Sequence, residues 1–356
     1  MPVRVRFAPS PTGSLHVGNA LTAVANRRFA DEHGGALVLR IDDTDPSRTV
    51  EGGEAALLTD LEWLGIRFDE GPVRQSERAA QYTDAAERAL TSGAAVPDAD
   101  GSVRLAGTGT TLLRPDGTAT DQLASVVDDL ELWITQVVRG SDHRPNLDLQ
   151  QRIARALGGE LPEVIHHGLV LGPDGKKLSK RHGHSSIDDL RGEGFPASAV
   201  RAYLDELGLP EHDVQLDLTR LRRLAIDAIA DMADEDLAAA AGAPVDLVPA
   251  LRGARTLVEA EHYARLVLEP PPAGVPPDAR PTLERLLELR SSAPDRLGSE
   301  DARELVRELK AVGGDLRSVR LVLTGASKGP ELWAILAALS REETLSRITR
   351  ALPATA

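Results

Sequence analysis

The segment VRVRFAPSPTGSLHVGN spans residues 3–19 and joins three local patterns. An alternating apolar run leads into a Pro- and Gly-rich stretch at residues 9–13, and a helical pattern follows from about His16 to Glu32. This order predicts a strand, a tight loop and a helix. Gly13 and Gly18 let the backbone approach a ligand closely, and the first N–H groups of the helix form an anion site. The segment therefore predicts a nucleotide site, although it contains neither GxxxxGK[ST] nor GxGxxG.

The residues that follow continue this pattern and predict a parallel sheet. A strand is expected at 36–41, with helices at about 50–64 and 77–91, and such an alternation of strands and helices is typical of α/β folds. Residues 93–121 are rich in Gly, Thr, Asp and Pro and predict a hairpin or loop. Further expected elements are a strand at LASVVDD (123–129), a helix at about 146–157 and a strand at 169–172.

The second half of the chain predicts helices. A helical region begins at 195–207, and alanine- and leucine-rich helical patterns continue to about residue 268. Residues 269–281 hold six prolines and predict a linker, because proline interrupts helices. A final helical module follows this linker.

The lysines of the chain are unevenly placed. The sequence has 41 basic side chains of the Lys and Arg types, of which five are lysines, and three lysines lie at Lys176, Lys177 and Lys180. Lysine is a compact, mobile point charge, whereas arginine is a planar fork. The cluster therefore indicates phosphate chemistry. A solvated basic turn after residues 173–175 is the alternative that the residues alone leave open.

Composition limits the class of protein. A chain of 356 residues exceeds what one hydrophobic core usually supports, so two or three domains are expected. Since neither a run of about 18 apolar residues nor a signal-peptide pattern is present, we expect a cytoplasmic protein without a membrane partner. The sequence has no cysteine, which excludes disulfides and thiolate metal sites. Adjacent histidines such as His166 and His167 point to opposite faces of a strand, so no metal site is expected.

The net charge of −14 opposes a polyanionic partner, but the charge is not uniform. Residues 282–356 carry twelve basic and eleven acidic side chains, so the acidic excess lies in the rest of the chain. The last module is therefore compatible with RNA, and a solvated helical face explains its charge equally well. Aromatic residues make up only 3% of the chain, which limits base stacking.

Two separated motifs carry a resemblance to a known family. HVGN at 16–19 is similar to the HxGH signature of class I aminoacyl-tRNA synthetases, and KLSKR at 177–181 is similar to their KMSKS signature. The chain resembles the glutamyl branch most closely, over residues 3–92 and 122–207, more weakly over 216–240 and again over 320–348. The motifs that carry this likeness include LVLRIDDTD, LEWLGIRFDEGP, RQSERAAQY, VVDD and VVRGSDH.

The resemblance implies an architecture. It implies an α/β fold with a Rossmann-like nucleotide-binding catalytic domain built on a parallel sheet, followed by all-α C-terminal domains. The implied bounds are 1–186 for the catalytic domain, with 93–121 as a shortened insertion, 187–268 for a helical region like a stem-contact domain, 269–281 for the linker and 282–356 for a module like an anticodon-binding domain.

The resemblance also implies an ATP site and its chemistry. Activation of an amino acid requires its carboxylate to attack the α-phosphate of ATP, which needs positioning and charge stabilisation rather than a protein nucleophile. Mg²⁺ is expected to accompany the ATP. The implied catalytic residues are His16, Lys177 and Lys180, and the implied ATP-binding residues are His16, Gly18, Asn19, Lys177, Ser179 and Lys180.

Glutamate and tRNA are the substrates that the resemblance implies. The residues that match the amino-acid-binding positions are Arg6, Ala8, Ser10, Asp42, Asp121 and Arg139. Arg139 has a second interpretation, as a structural ion pair with Asp142 or Asp129. Two positions depart from the family pattern: Asp42 is one methylene shorter than the usual glutamate, and Asp121 lies where relatives show a tyrosine. If Asp121 faces the pocket, its charge opposes an anionic substrate.

The acceptor is the point at which three hypotheses separate. Residues 93–121 leave little room for the inserted domain that holds the acceptor end of tRNA in glutamyl relatives. The first hypothesis is a compact enzyme that makes glutamyl-tRNA. The second is an adenylate-forming ligase of the same ancestry that transfers an aminoacyl group to a small-molecule amine or thiol. The third is a catalytically silent paralogue, which the intact HVGN and KLSKR motifs oppose.

Overall fold

A strand, a loop and a helix form where the first segment predicts them. The computed structural model describes residues 2–45, 49–172, 174–176, 178, 185–270 and 277–352. The chain divides into two units, one made of Met1–Arg191 with Val200–Leu218 and the other of Gly192–Ala199 with Thr219–Ala356. The first unit opens with β1 (Arg4–Phe7), α1 (Val17–Glu32), β2 (Ala36–Ile41), α2 (Gly53–Trp63), β3 (Glu70–Arg74) and, after a 3-10 turn at Gln75–Arg78, α3 (Ala79–Thr91).

The Gly- and Thr-rich stretch after α3 forms a small antiparallel sheet. Its three strands are β4 (Ala95–Pro97), β5 (Val103–Leu105) and β6 (Thr111–Leu113), joined in that order. Leu105, Leu112 and Leu113 are buried and share a core with α3. The segment predicted as a hairpin or loop is thus a hairpin extended by one strand.

The next elements continue the first unit. They are α4 (Asp121–Glu131), β7 (Gln136–Gly140), α5 (Leu147–Ala156) and β8 (Glu163–His167). The prediction of a strand at LASVVDD was wrong, because these residues lie in α4. Thr120 caps the helix by accepting a hydrogen bond from Leu123 N, and buried residues recur on one face at Leu123, Ala124 and Val127. A short apolar run does not distinguish a strand from a buried helix.

Parallel strands form the centre of this unit. β1, β2 and β3 pair in that order, and β7 pairs with β8. β7 also lies beside β1, where Thr135 N donates to Arg4 O at 2.8 Å. The strands are apolar along most of their length because helices cover the sheet: Val5, Phe7, Leu37, Val38, Leu39, Ile41, Val137 and Val138 are all buried.

The remaining strands are short. They are β9 (Val170–Leu171) and β10 (Val214–Gln215), which pair in parallel, and α6 (Ile187–Gly192) and α7 (Ala197–Leu207) lie between them in sequence. The strand predicted at 169–172 is therefore present as β9. The α/β class with a parallel sheet and a helical C-terminal region is confirmed.

The second unit is helical. It contains most of α8 (Leu218–Asp231), then α9 (Asp234–Ala240), α10 (Val248–Leu251), α11 (Leu257–Leu268), α12 (Arg280–Ser292), α13 (Ser299–Ala311), α14 (Leu316–Thr324), α15 (Leu332–Ala338) and α16 (Arg341–Ala351). One hydrophobic cluster extends from Ile229 to Ile348 and includes residues on both sides of 269–281. The domain bounds taken from the sequence stay predictions. Within the described ranges, no helix has the length and hydropathy to span a bilayer.

Two buried arginines bind the carboxyl ends of helices in this second unit. Arg347 donates to Leu323 O near the end of α14 and to Val267 O near the end of α11, the latter at 2.8 Å. Arg290 donates to Leu339 O at the end of α15 and to the carbonyl oxygens of Pro294 and Asp295, which follow the end of α12. Terminal carbonyls have no partner within their own helix and carry the negative end of the helix dipole. Guanidinium groups therefore satisfy these carbonyls in the interior.

Gly65 ends α2 and provides a direct test of its local geometry. Its φ is +67°, and a Cβ added there would meet nothing within 4 Å. We expect Gly65→Ala to lower the free energy of unfolding by about 1 kcal/mol, because the left-handed conformation disfavours a side chain. Urea titration measures the change.

Gly192 at the end of α6 is the control for this substitution. An added Cβ is also uncontacted there, and φ lies outside the left-handed range. Gly192→Ala is expected to leave stability unchanged or to raise it slightly. Equal losses in both variants would contradict the assignment of the cost to backbone conformation.

Candidate active site

Among the described residues, the predicted members of the site lie near the carboxyl ends of the parallel strands. β2 and β3 lie on one side of β1, and β7 and β8 lie on the other, so the strand order reverses between β1 and β7. Ligands of open parallel sheets bind outside the carboxyl ends of the strands at such a reversal. Arg6 in β1 and Arg139 in β7 come from the two strands that flank it.

HVGN forms the amino end of α1. His16 is the N-cap residue, with φ −70° and ψ 144°, and its Nδ1 accepts a hydrogen bond from Gly18 N at 3.4 Å. Asn19 lies in the first turn and is exposed. The helix has 16 residues and no acidic side chain in its first turn, so no side chain there offsets the positive end of its dipole. This arrangement favours an anion such as a phosphate.

The loop between β1 and α1 is held against its neighbours by backbone contacts. Asp42 N donates to Pro9 O at 2.9 Å, and Val50 N donates to Pro11 O at 3.2 Å. Gly53 starts α2 so close to the loop that an added Cβ would lie 2.3 Å from Pro11 O. Ala8 and Ser10 lie in this loop and are half-buried. Their backbone is therefore fixed by the fold.

A buried carboxylate links two of the arginines. Asp129 Oδ1 accepts from Arg6 Nε at 3.1 Å and from Arg40 Nη1 at 2.8 Å. Arg40 is fully buried, and its remaining groups donate to Asp42 Oδ1 at 2.6 Å, Asp42 Oδ2 at 3.1 Å and Ser125 Oγ at 3.1 Å. Burial disfavours the guanidinium, but the carboxylates around it outweigh that effect and raise the pKa of Arg40. Arg40 therefore stays charged and fixes both aspartates.

The neighbouring carboxylate of Asp128 also lies near Arg40, whose Nε is 3.8 Å from Asp128 Oδ2, but its hydrogen-bond donors are different. It accepts from Gln75 Nε2 at 2.8 Å, from Arg78 Nε at 2.7 Å and from the Tyr82 hydroxyl at 3.0 Å. Burial and the Asp128 charge together raise the pKa of Tyr82, which keeps the hydroxyl protonated as a donor. Asp128 thus joins α4 to α3 and lacks the contact with Arg6 that Asp129 makes.

Arg139 is held by neutral groups. Its Nη1 donates to Gln150 Oε1 at 2.8 Å, and its Nε donates to His166 Nε2 at 3.3 Å. The ion pair with Asp142 or Asp129 that the sequence left open is not formed among the described residues. Arg139 Nη2 is buried and has no hydrogen-bond partner in the same part of the chain. A buried guanidinium with one open donor suits an anionic ligand.

The pKa of Arg139 is consistent with a charged group that could bind an anion. Burial and the nearby charge of Arg6 lower its pKa to about 10, although Asp129 and Asp142 act in the opposite direction. The group therefore remains protonated at neutral pH. Burial and the Arg139 charge also lower the pKa of His166, so its ring is neutral and Nε2 can accept the hydrogen bond from Arg139.

The DDTD segment after β2 is engaged with protein partners. Asp43 accepts from Ser76 N at 2.8 Å and from Ser76 Oγ at 2.7 Å, which caps the turn before α3. Thr44 Oγ1 donates to Asp121 Oδ1 at 2.9 Å. Asp121 is exposed in the first turn of α4, where the helix dipole favours a negative charge. Among the described residues no group of three or more acidic or histidine side chains could hold a metal ion.

Much of the lysine segment lies outside the described residues, including Lys177, Ser179 and Lys180. Lys176 is described and exposed, and its carbonyl oxygen accepts from Gly172 N at 2.7 Å. The residues just after the segment lie next to HVGN: Val17 N donates to Ser185 O at 3.0 Å, and Ile187 N donates to Leu15 O at 2.8 Å. The structure thus places residues 185–187 beside the start of α1.

Sequence reasoning did not identify the residues that orient the arginines. Asp129, Gln150 and His166 each contact a predicted substrate-binding arginine. Asp129 was considered only as an ion-pair partner of Arg139, and neither Gln150 nor His166 was given such a role. Arg139 and His166 are register partners across β7 and β8. The paired aspartates of VVDD and the adjacent histidines were visible in the sequence as candidate partners. Which arginine each of them contacts becomes clear only from the folded structure.

Two family models match this chain. The model of the class I tRNA synthetases (E and Q), catalytic domain, matches residues 2–108 and 100–220. The model of an anticodon binding domain matches residues 252–352.

Curated relatives cover nearly the whole chain. Glutamate–tRNA ligase 1 of Rubrobacter xylanophilus is 37% identical over 424 aligned positions, which cover 98% of this chain and 97% of the relative. Glutamate–tRNA ligase 1 of Methylorubrum extorquens is 31% identical and covers 99% of both chains.

A solved structure shares the fold. The glutamate tRNA ligase of Elizabethkingia meningosepticum, crystallised with its amino acid, superposes with a TM-score of 0.79 at 23% identity and covers 99% of each chain. The family model matches more than half of the residues, and its match includes β1, HVGN and the paired arginines. The chain therefore belongs to the class I tRNA synthetases (E and Q), a family of ATP-dependent ligases.

Proposed function

We propose that this chain activates glutamate with ATP and transfers it to tRNA. The observation that carries the proposal is the pair of buried arginines, Arg6 and Arg139, at the strand reversal beside the amino end of α1. The curated relatives named above support it, since both are glutamate–tRNA ligases. A cytoplasmic location is part of the same proposal.

Arg6 and Arg139 are proposed to bind the carboxylates of glutamate. The open Nη2 of Arg139 supplies a donor that the described protein groups do not use. Asp129 orients Arg6 but is shared with Arg40, so Arg6 retains attraction for an anion. Ala8 and Ser10 are proposed to contact the amino acid from the fixed loop, and Asp42 to hold its ammonium group.

Asp121 is the position at which the glutamate proposal meets an opposing charge. It is proposed to border the amino-acid site, as its place in the family pattern implies. Its carboxylate accepts a hydrogen bond from Thr44 and lies at the amino end of α4. The positive end of the helix dipole partly offsets the repulsion that a glutamate side chain would meet there.

The ATP site is proposed to combine the amino end of α1 with the lysine segment. His16, Gly18 and Asn19 would hold the nucleotide, and Lys177, Ser179 and Lys180 would act on its phosphates. A glutamate carboxylate oxygen attacks the α-phosphorus, the bond to the β-phosphate oxygen breaks, and pyrophosphate leaves. A lysine stabilises the charge on the departing group. Mg²⁺ is proposed to enter on the phosphates, since the described residues offer it no acidic cluster of their own.

tRNA is the proposed acceptor. The match of residues 252–352 to an anticodon binding domain supports it. The alignment with the Rubrobacter relative runs over 424 positions and this chain has 356 residues, so at least 68 positions of the alignment have no residue in this chain. The shorter chain agrees with a reduced insertion at 93–121. The comparisons do not favour transfer to a small-molecule acceptor.

ATP–pyrophosphate exchange tests the proposal as a whole. With each amino acid in turn, and with or without total tRNA, we expect exchange with glutamate when tRNA is present. Exchange with a neutral or basic amino acid in the absence of tRNA would contradict the proposal and support the small-molecule ligase. A gel shift with tRNA gives an independent measure of the acceptor.

Lys180→Ala tests the phosphate role of the lysine segment. We expect the exchange rate to fall by at least about 100-fold, because removal of one charge-stabilising donor commonly costs that much. Lys176→Ala is the control, since Lys176 is exposed and has no assigned role. A Lys180→Ala protein with full activity would show that the assigned role is wrong.

Asp129→Asn tests how the amino-acid site is oriented. Loss of a buried charge partner is expected to lower the free energy of unfolding by about 3 kcal/mol and to raise the KM for glutamate about tenfold, because Arg6 loses its anchor. Asp128→Asn is the matched control: a similar loss of stability is expected, with KM for glutamate unchanged within about twofold. Equal changes of KM in both variants would refute the specific role of Asp129.

A further inference from the structure

The loop that leads into HVGN rests on a fully buried carboxylate from α2. Asp60 is 0% exposed, and its Oδ2 accepts from Ser14 Oγ at 2.6 Å and from Leu15 N at 2.8 Å. Both donors precede His16 directly in sequence. Asp60 therefore fixes the backbone from which α1 begins.

The same carboxylate reaches the residues that follow the lysine segment. Asp60 Oδ1 lies 3.3 Å from Arg191 Nη2, at ion-pair rather than hydrogen-bond geometry. Arg191 Nη2 also lies 2.7 Å from Asp188 Oδ1, and its guanidinium lies 5.9 Å from the centre of the Trp63 ring. Trp63 is one turn from Asp60 on α2, so that helix contacts Arg191 at two points.

These contacts close into a ring. Asp188 N donates to Ser14 Oγ at 3.1 Å, so the ring runs through Ser14, Asp60, Arg191 and Asp188. We name these four residues the Asp60 ring. The chain segments that contain Ser14 and Asp188 are also joined by backbone hydrogen bonds from Val17 N to Ser185 O and from Ile187 N to Leu15 O.

Beside the ring, a second carboxylate orders the start of α6. Asp189 Oδ2 accepts from Ser186 N at 3.0 Å and from Ser185 N at 3.2 Å, while Asp189 N donates to Ser186 Oγ at 3.1 Å. Such reciprocal bonds form a capping box. The hydrogen bonds of Asp189 thus hold the segment next to HVGN in one conformation, and the Asp60 ring fixes that segment relative to α1.

The chemistry of the ring indicates a purpose beyond packing. A buried carboxylate is costly to desolvate, and a well-packed apolar side chain often gives equal or greater stability at such a position. A buried carboxylate that contacts polar groups from two chain segments instead fixes the distance and the orientation between those segments. Here those segments are the one that starts HVGN and the one that follows KLSKR.

We propose that Asp60 and Arg191 are positioning residues for the nucleotide step. They act through Ser14 and Asp188, contact no reacting atom, and set the distance between the amino end of α1 and the chain that leaves the lysine segment. The kinetic part of this inference rests on the proposed function. Its structural part, the coupling of residues 14–17 to 185–188, does not.

The test compares Asp60→Asn and Arg191→Gln with Glu32→Gln, which removes an exposed ion pair with Arg28 at the far end of α1. In ATP–pyrophosphate exchange with glutamate and tRNA, kcat/KM for ATP is expected to fall by about ten- to a hundredfold in the first two variants. KM for glutamate should change by less than about twofold, because the arginine cluster is untouched. Glu32→Gln should match the unaltered protein.

Rescue separates positioning from a general loss of structure. The double variant Asp60→Asn with Arg191→Gln leaves neither charge of the pair without its partner, so part of the loss in kcat/KM for ATP should be restored. Hydrogen exchange at Leu15, Val17 and Ile187 should accelerate in Asp60→Asn and slow again in the double variant. If Asp60→Asn does not fold, Ser14→Ala removes the half-buried hydroxyl that links Asp60 to Asp188 and serves for the same measurements.

Two results would overturn the proposal. One is an unchanged kcat/KM for ATP with unchanged hydrogen exchange. The other is an equal loss in kcat/KM for ATP and for glutamate that the double variant does not restore. That result would show that the Asp60 ring has a structural role only. If the unaltered protein shows no exchange with glutamate while hydrogen exchange responds as expected, the proposed function fails and the coupling of the two segments stands.

Discussion

The shared carboxylate of Asp129 is the constraint on which the amino-acid site depends. A parallel sheet covered by helices leaves no solvent for the charges at its carboxyl edge, so each charge there requires a partner from the protein. One carboxylate divided between Arg6 and Arg40 leaves Arg6 only partly neutralised, whereas Arg40 is also paired with Asp42. Arg139, held only by an amide and an imidazole, adds a further positive charge nearby. Arg6 and Arg139 are therefore only partly neutralised by their neighbours at this edge of the sheet.

The main features of the fold could be predicted from local pattern. β2 occupies residues 36–41 and α1 ends at Glu32, as their apolar periodicity indicates. The failure at LASVVDD has a clear origin, because a seven-residue segment with paired valines fits either a strand or a buried helix turn. Its N-cap, Thr120, was visible but is a weak signal when a glycine-rich hairpin precedes it.

The site could be predicted only in part. Arg6, His16 and Arg139 were found because they lie within motifs. Their supports, Asp129, His166 and Asp60, come from other elements, and each acts through a contact between residues far apart in sequence. The pairing of Arg139 with His166 follows from strand register, and the burial of Asp60 follows from the packing of α2 against the first loop. Neither relation has a local sequence pattern.

The buried Arg347 has a consequence for building chimeric proteins from this chain. Its guanidinium binds Val267 O before the proline-rich stretch, while its own helix lies after it. A chimera joined within residues 269–281 would combine Arg347 of this chain with α11 of another protein. It would be stable only if that helix ended where its last carbonyl groups could still accept from Arg347. A cut before residue 252, where the anticodon-binding match begins, would transfer the arginine together with both helix ends that it binds.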